Sequence, residues 1–195
     1  MRSFLMNELR ESKLVAILWT PFIIGLLANV LCVKFGWLQR WQRPLDRGAT
    51  LRGRRVFGAN KTWRGVAVVA AGTAIGYALM ALTKLLPGGV APSLSIGQFA
   101  LIGAVVGAAG MLSQLPGAFL KRQLDIAPGG AATGVALPLF WILDHVEILL
   151  GSWLVLGPIV GFTVMRLAWS VLWMAVLQQL VAFAGARQGM RAPAR

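Results

Sequence analysis

Charge is what this chain has least of. Only 13% of its 195 residues are charged, against about 25% in an ordinary globular chain, while 57% are hydrophobic and the mean hydropathy is +0.72. That poverty excludes a soluble domain of this length, because one core could not hide so much apolar surface. A bilayer must act as solvent for much of it, in a single membrane domain. Acid is scarcer still: 6 Asp and Glu stand against 19 Lys and Arg, a formal net charge of +13. Such a balance suits phosphate-bearing partners and anionic lipid headgroups equally. Cysteine occurs once, at Cys32 inside an apolar run, which excludes a disulfide framework and a metal-spaced Cys pair and leaves a small packing residue.

Other signatures are missing too. No small-residue cleavage pattern follows the first apolar run, no internal repeat emerges, and no low-complexity segment appears beyond the short Arg-rich tail. Gly103, Gly107 and Gly110 have the wrong spacing for a dinucleotide fingerprint, and no strand precedes them. What is present is a series of long apolar runs. They predict an all-α integral membrane protein of about five transmembrane helices, near residues 14–33, 66–86, 96–118, 135–157 and 159–184. Pro87-Gly88-Gly89 marks one turn, and Pro158 is expected to separate the last two helices. Pairs of glycine at Gly72/Gly76, Gly103/Gly107 and Gly157/Gly161 are expected to let helix backbones approach closely in lipid.

Two polar loops interrupt the runs, and the positive-inside rule puts both, with the Arg187-Arg191-Arg195 tail, on the cytoplasmic side. The first, residues 34–65, holds the sharpest pattern in the chain, with Arg47, Arg52, Arg54, Arg55, Lys61 and Arg64 interleaved with glycines, Asn60 and Thr62. Glycines give flexible backbone donors, arginine gives bidentate forks, and lysine a compact charge, which together suit a polyphosphate. The segment Gly58-Ala59-Asn60-Lys61-Thr62 lacks the full Walker spacing, so it is no P-loop. The plainer reading is a polybasic loop that fixes topology and touches anionic lipid at about 1 kcal/mol per basic residue.

The second pattern is Asp144 and Glu147, three residues apart and so on one face of the fourth helix. Burying either carboxylate costs of order 2.5–3.5 kcal/mol. Facing a wet cavity, the pair is a seat for Mg²⁺, which takes one or two protein carboxylates and fills its shell with water and phosphate. His145 points elsewhere on the helix. The competing reading is an intramembrane ion pair, with Arg166 as the obvious partner. Lys121-Arg122 likewise reads either as a phosphate contact or as an ordinary helix-end anchor.

Together these segments resemble the CDP-archaeol synthase family and, more distantly, phosphatidate cytidylyltransferases. The resemblance rests on Gly53 to Gly65, especially Lys61-Thr62-Trp63-Arg64-Gly65, preceded by Leu45-Asp46-Arg47-Gly48. It continues in Phe119-Leu120-Lys121-Arg122 with Ile126-Ala127-Pro128-Gly129, in Leu143-Asp144-His145-Val146-Glu147, and in Asn29. It implies an Mg²⁺-dependent transfer from CTP to a lipid phosphate at the cytoplasmic face of the plasma (inner) membrane, with no nucleic acid involved and homo-oligomerisation left open. By the same resemblance, Asp144 and Glu147 hold metal and Lys121, Arg122 and Asp144 are catalytic, while Arg54, Arg55, Asn60, Lys61, Thr62 and Arg64 line the nucleotide approach. The chain departs from the family pattern at Gln114, where an Asp is usual, at Ala118, where a Ser is expected, and at Glu147, which stands for an Asp. Those departures leave open a changed substrate, a one-metal site or a catalytically silent relative that binds anionic lipid or a protein partner. A small transporter is disfavoured, because the polar residues gather toward one face.

Overall fold

Backbone polar groups have no water to bond in hydrocarbon, so the apolar runs can cross it only as helices. The structure, a computed structural model, describes residues 2–85, 94–128, 130 and 136–187. It contains six helices: α1 (Arg2–Lys34), α2 (Trp63–Leu82), α3 (Ile96–Leu112), α4 (Leu115–Gln123), α5 (Ala136–Val160) and α6 (Val164–Arg187). Four stretches are long and apolar enough to span a bilayer: Leu5–Lys34, Trp63–Leu82, Ile96–Gln123, which joins α3 to α4, and Leu137–Val160. In α6 the apolar part is shorter, Val164–Leu177. The chain is a helical integral membrane protein, and its outward-facing Leu101, Leu154 and Val164 are more than 60% exposed, as lipid-facing side chains are.

The central helix is α2, packed between α1 and α3; α3 in turn meets α5, and α6 lies on α1 and α5. Trp19, Phe22, Val69, Tyr77, Val106, Trp153, Leu156 and Met174 form the core where five helices meet. Two of the three glycine pairs do what their spacing predicts. A Cβ on Gly72 would lie 2.6 Å from the Cα of Gly25, and one on Gly107 2.8 Å from the Cα of Ala70, so backbone meets backbone there.

The third pair does not. Gly161 has φ +81° and ends α5 as a left-handed cap, while the space at Gly157 is filled by the Phe162 ring 2.7 Å away. The same turn corrects the expectation for Pro158, which sits inside α5. The chain reverses three residues later, at the glycine that can adopt positive φ. Two other boundaries shift for local reasons. Glu8, Arg10, Glu11 and Lys13 are good helix formers and carry α1 back to Arg2, well ahead of the apolar run. Pro116, in the first turn of α4, interrupts what looked like one continuous third helix and leaves Ser113 and Gln114 at a joint.

At one end of the bundle the segment between α1 and α2 closes on itself. Leu45 N donates to the Lys61 carbonyl (2.8 Å) and Trp63 N to that of Arg43 (3.1 Å), fixing its base. At its tip β1 (Thr50–Leu51) and β2 (Arg54–Arg55) pair antiparallel around Arg52 and Gly53, both at positive φ, as a tight two-residue hairpin turn requires. Phe35, Trp37, Trp41 and Trp63 are about half exposed around this base, an aromatic girdle of the kind that sits at headgroup level.

Candidate active site

Asp46 organises the basic loop. Its side chain is fully buried and accepts from the backbone N–H groups of Gly48 (3.0 Å), Phe57 (3.1 Å) and Gly58 (3.0 Å), and from the Arg55 guanidinium. Burial pushes this carboxyl upward, but Arg55 and the three N–H donors outweigh it and hold Asp46 well below the usual carboxylate range. The loop is therefore pinned around one anion at its centre. Arg54 reaches α4, donating to the Gln123 carbonyl and to Asp125, and this joins the two polar loops at the same end of the bundle.

Between them lies a cleft of about 320 Å³, bordered by Gly53, Arg54, Arg55, Gly58, Arg122 and Asp125. Arg122 is 8% exposed; it donates to the Ile126 carbonyl, yet its buried Nε has no hydrogen-bond partner among the described residues. A side chain on Gly58 would come 3.3 Å from that nitrogen, so the glycine keeps the approach open. A buried guanidinium with a spare donor, beside glycine backbone and two further arginines, has the chemistry that phosphate oxygens require.

The carboxylate pair sits where α4 meets α5. Lys121 Nζ lies 2.6 Å from both oxygens of Asp144, whose side chain is 49% exposed. Glu147 is buried and accepts the backbone N–H of Gly117, one of the donors left over in the first turn of α4. A Cβ at 117 would be 1.9 Å from Glu147 Oε1, so any other residue there would displace the carboxylate from this position. Lys61 connects the two parts. It donates to Gln114 Oε1 at 2.6 Å, and Gln114 is itself anchored by its Nε2 to the Gly110 carbonyl (3.2 Å). Burial lowers the Lys61 ammonium below the ordinary lysine range even though Glu147 and Asp144 act to raise it, with Lys121 and Arg122 adding to the lowering. The lysine thus lies within electrostatic reach of both carboxylates and of Arg122.

Not every residue of the expected site comes to the cleft. Thr62 is the N-cap of α2, and its hydroxyl accepts from Gly65 N at 3.2 Å. Arg64 is buried and turns toward the end of α1, donating to the Trp37 carbonyl (3.2 Å) and Gln42 Oε1 (3.3 Å). Asn60 is exposed near Gly58. Asn29 lies beside Gly65, at the start of α2. The competing reading, an ion pair between the α5 carboxylates and Arg166, is not what the structure shows, because Arg166 holds Glu11 at the opposite end of the bundle. Gly117, with its role as the floor under Glu147, carried no signal in the sequence beyond following a proline.

Mg²⁺ is the metal expected from the sequence for this pair of carboxylates. Among the described residues no three His, Cys, Asp or Glu gather, so a closed all-protein cage is excluded there. Two carboxylates one turn apart on α5, one buried and one half exposed, are a donor set of the kind a hydrated hard cation takes. The Lys121 ammonium, bidentate on Asp144, shows that this carboxylate accepts a cation in the fold.

Fold and site thus define an integral membrane protein that carries an arginine-lined cleft and a pair of helix carboxylates at one end of its bundle. The chain belongs to the CarS-like, CDP-archaeol synthase family, whose model matches residues 13–192. It is 35% identical over 153 residues to the CDP-archaeol synthase of Pyrobaculum calidifontis, covering 77% of this chain and 76% of that one. With the CDP-archaeol synthase of Thermococcus onnurineus it shares 38% identity over 95 residues, 48% of this chain and 52% of that one. A solved structure described as an intramembrane enzyme for archaeal membrane lipids biosynthesis superposes with a TM-score of 0.62 over 86% of this chain and 91% of that chain, at 23% identity. That likeness shows the fold.

Proposed function

We propose that this chain is a CTP-dependent lipid cytidylyltransferase, with its basic loop and α4–α5 site facing the cytoplasm from the plasma (inner) membrane. The observation that carries the reading is Lys61, buried on Gln114 at the α3–α4 joint and within electrostatic reach of Arg122 and of both α5 carboxylates. Arg54, Arg55 and Arg122 receive the triphosphate in the cleft, and Gly53 and Gly58 let backbone approach it. Lys121 would meet the lipid phosphate, and Asp144 and Glu147 would hold Mg²⁺. Bound Mg²⁺ supplies charge neutralisation on the phosphates. An oxygen of the lipid phosphate attacks the α-phosphorus of CTP; the new P–O bond forms as the bond to the β-phosphate bridging oxygen breaks, and pyrophosphate leaves with that electron pair. No covalent enzyme intermediate is needed. Positioning and preorganised positive charge carry the acceleration, which is what buried, hydrogen-bonded cations supply.

The test is to incubate purified protein with labelled CTP, Mg²⁺ and a panel of ether- and ester-linked lipid phosphates, and to weigh the product. A CDP-lipid from at least one acceptor is expected. Absence of product from every acceptor, with no stabilisation of the protein by CTP in thermal unfolding, would reject the reading.

A further inference from the structure

Trp63 and Arg64 belong to the sharpest motif of the chain, yet neither borders the cleft. Both instead hold residues 34–43, which carry the chain from the end of α1 into the basic loop. The helix stops because Gly36 takes φ +64°, and the N–H groups of Gly36 and Trp37 bond back to the carbonyls of Val33 (3.3 Å) and Cys32 (3.0 Å). A second left-handed residue, Leu38 at φ +56°, then leads into a 3-10 turn at Gln39–Trp41. Arg64 braces this fold from within, buried and donating to the Trp37 carbonyl and to Gln42 Oε1, while Trp63 N–H holds the Arg43 carbonyl. The segment is a built platform.

What the bracing leaves outside is of two kinds. Phe35, Trp37, Leu38 and Trp41 are each 50% exposed or more, with Phe35 stacked on Trp37 at 5.3 Å. Lys34, Arg40 and Arg43 are exposed among them, and none has a carboxylate partner among the described residues. The one acid of residues 34–65, Asp46, is buried and held by Arg55, so the loop itself offers these three charges no answer. Half-exposed tryptophans at the end of a span sit at headgroup level, where the anions within reach are lipid phosphates. Basic residues beside a span attract such lipids at about 1 kcal/mol each.

We propose that residues 34–43, braced by Arg64, form a docking surface for the phosphate headgroups of anionic lipids, separate from the arginine-lined cleft. The occupant is a lipid and not a free phosphate, because the aromatic side chains supply the apolar half of the contact. Binding there needs no turnover. It therefore stands or falls apart from the reading of the cleft as a CTP site.

Native mass spectrometry of the detergent-solubilised protein tests the surface. The protein is titrated with dioleoyl phosphatidylglycerol and with dioleoyl phosphatidylcholine, each alone and in the presence of inorganic phosphate. The anionic lipid is expected to bind more tightly. Neutralising the platform in a triple variant, Lys34→Gln with Arg40→Gln and Arg43→Gln, is expected to weaken phosphatidylglycerol binding by roughly 5-fold per charge, on the order of 100-fold in all, and to leave phosphatidylcholine unaffected. Arg40→Gln alone, at an exposed turn, serves if the triple variant does not fold. Lys84→Gln, beyond the far end of α2, should change nothing. Equal binding of the two lipids would overturn the proposal, as would phosphatidylglycerol affinity kept in the triple variant. An equal loss from Lys84→Gln would show diffuse charge in place of a surface, and displacement of the lipid by inorganic phosphate at the same concentration would show a free-anion site; either result overturns it too.

Discussion

Each end of the helix bundle holds a largely buried cation against a carboxylate, and the two ends treat it differently. At the α5–α6 turn Arg166 is saturated. Its Nε and Nη2 meet both oxygens of Glu11 at 2.6 and 3.2 Å, and its Nη1 donates to the carbonyls of Val160 and Gly161, the open end of α5. Glu8 accepts the indole N–H of Trp169 alongside. At the loop-bearing end Arg122 keeps a buried Nε without a partner among the described residues, and the Lys121–Asp144 pair is partly exposed, 15% on the lysine and 49% on the aspartate. A cation with every donor engaged ties elements together, whereas a buried donor without a partner keeps capacity for a ligand. The proposed chemistry lies at the second end, and the first holds α1, α5 and α6 in place.

The comparison breaks most sharply at Arg166. Arg166→Met should strand Glu11 and cost up to about 3–5 kcal/mol, the loss seen on breaking a buried pair. Thermal unfolding in detergent should fall, while turnover per folded molecule stays at the wild-type level; a selective loss of turnover would make that end functional. Asp144→Asn should do the reverse. CDP-lipid formation should drop by on the order of 10²–10³-fold, as when one electrostatic contact to a transition state is lost, with the melting temperature nearly unchanged. Retained turnover would remove Asp144 from the metal site. Next comes Arg122→Met, which should weaken CTP binding by about 1.5–3 kcal/mol, the worth of a charged hydrogen bond, as read by calorimetry.

Two smaller effects sharpen the picture through pH. The carboxyl of Asp46 is lower in the folded loop than in the unfolded chain, so its contribution is complete above the usual carboxylate value of about 3.9 and is lost as pH falls through and below it. Limited proteolysis of the loop should speed up on that acid side, and Asp46→Asn should cleave readily at every pH. Lys61 is shifted down by burial, so its charge is lost, as pH rises, below the usual lysine value of about 10.4. CTP affinity should weaken on that alkaline limb, and Lys61→Arg should move the limb upward.

Much of this was open to reading from residues alone. The apolar runs name a membrane protein because the cost of burying a backbone in lipid depends on local composition. Asp144 and Glu147 share a face because the helical period is fixed. The motif around Lys61 pointed to phosphate because glycine and arginine carry the same chemistry wherever they fold. Even the break at Pro116 was written in the chain, although the long hydrophobic run around it suggested one continuous helix.

Partnership was another matter. Whether Arg166 would meet the α5 carboxylates or Glu11, whether Thr62 and Arg64 would face the nucleotide or support α2, and whether Gly117 would floor a carboxylate all turned on how the helices pack. The sequence by itself settled the solvent, the spans and the supply of charged groups, since each follows from a few neighbouring residues. Only the tertiary structure decided which charge answers which. Glu11 and Arg166 meet across 155 positions of chain, and nothing local to either residue specifies the other.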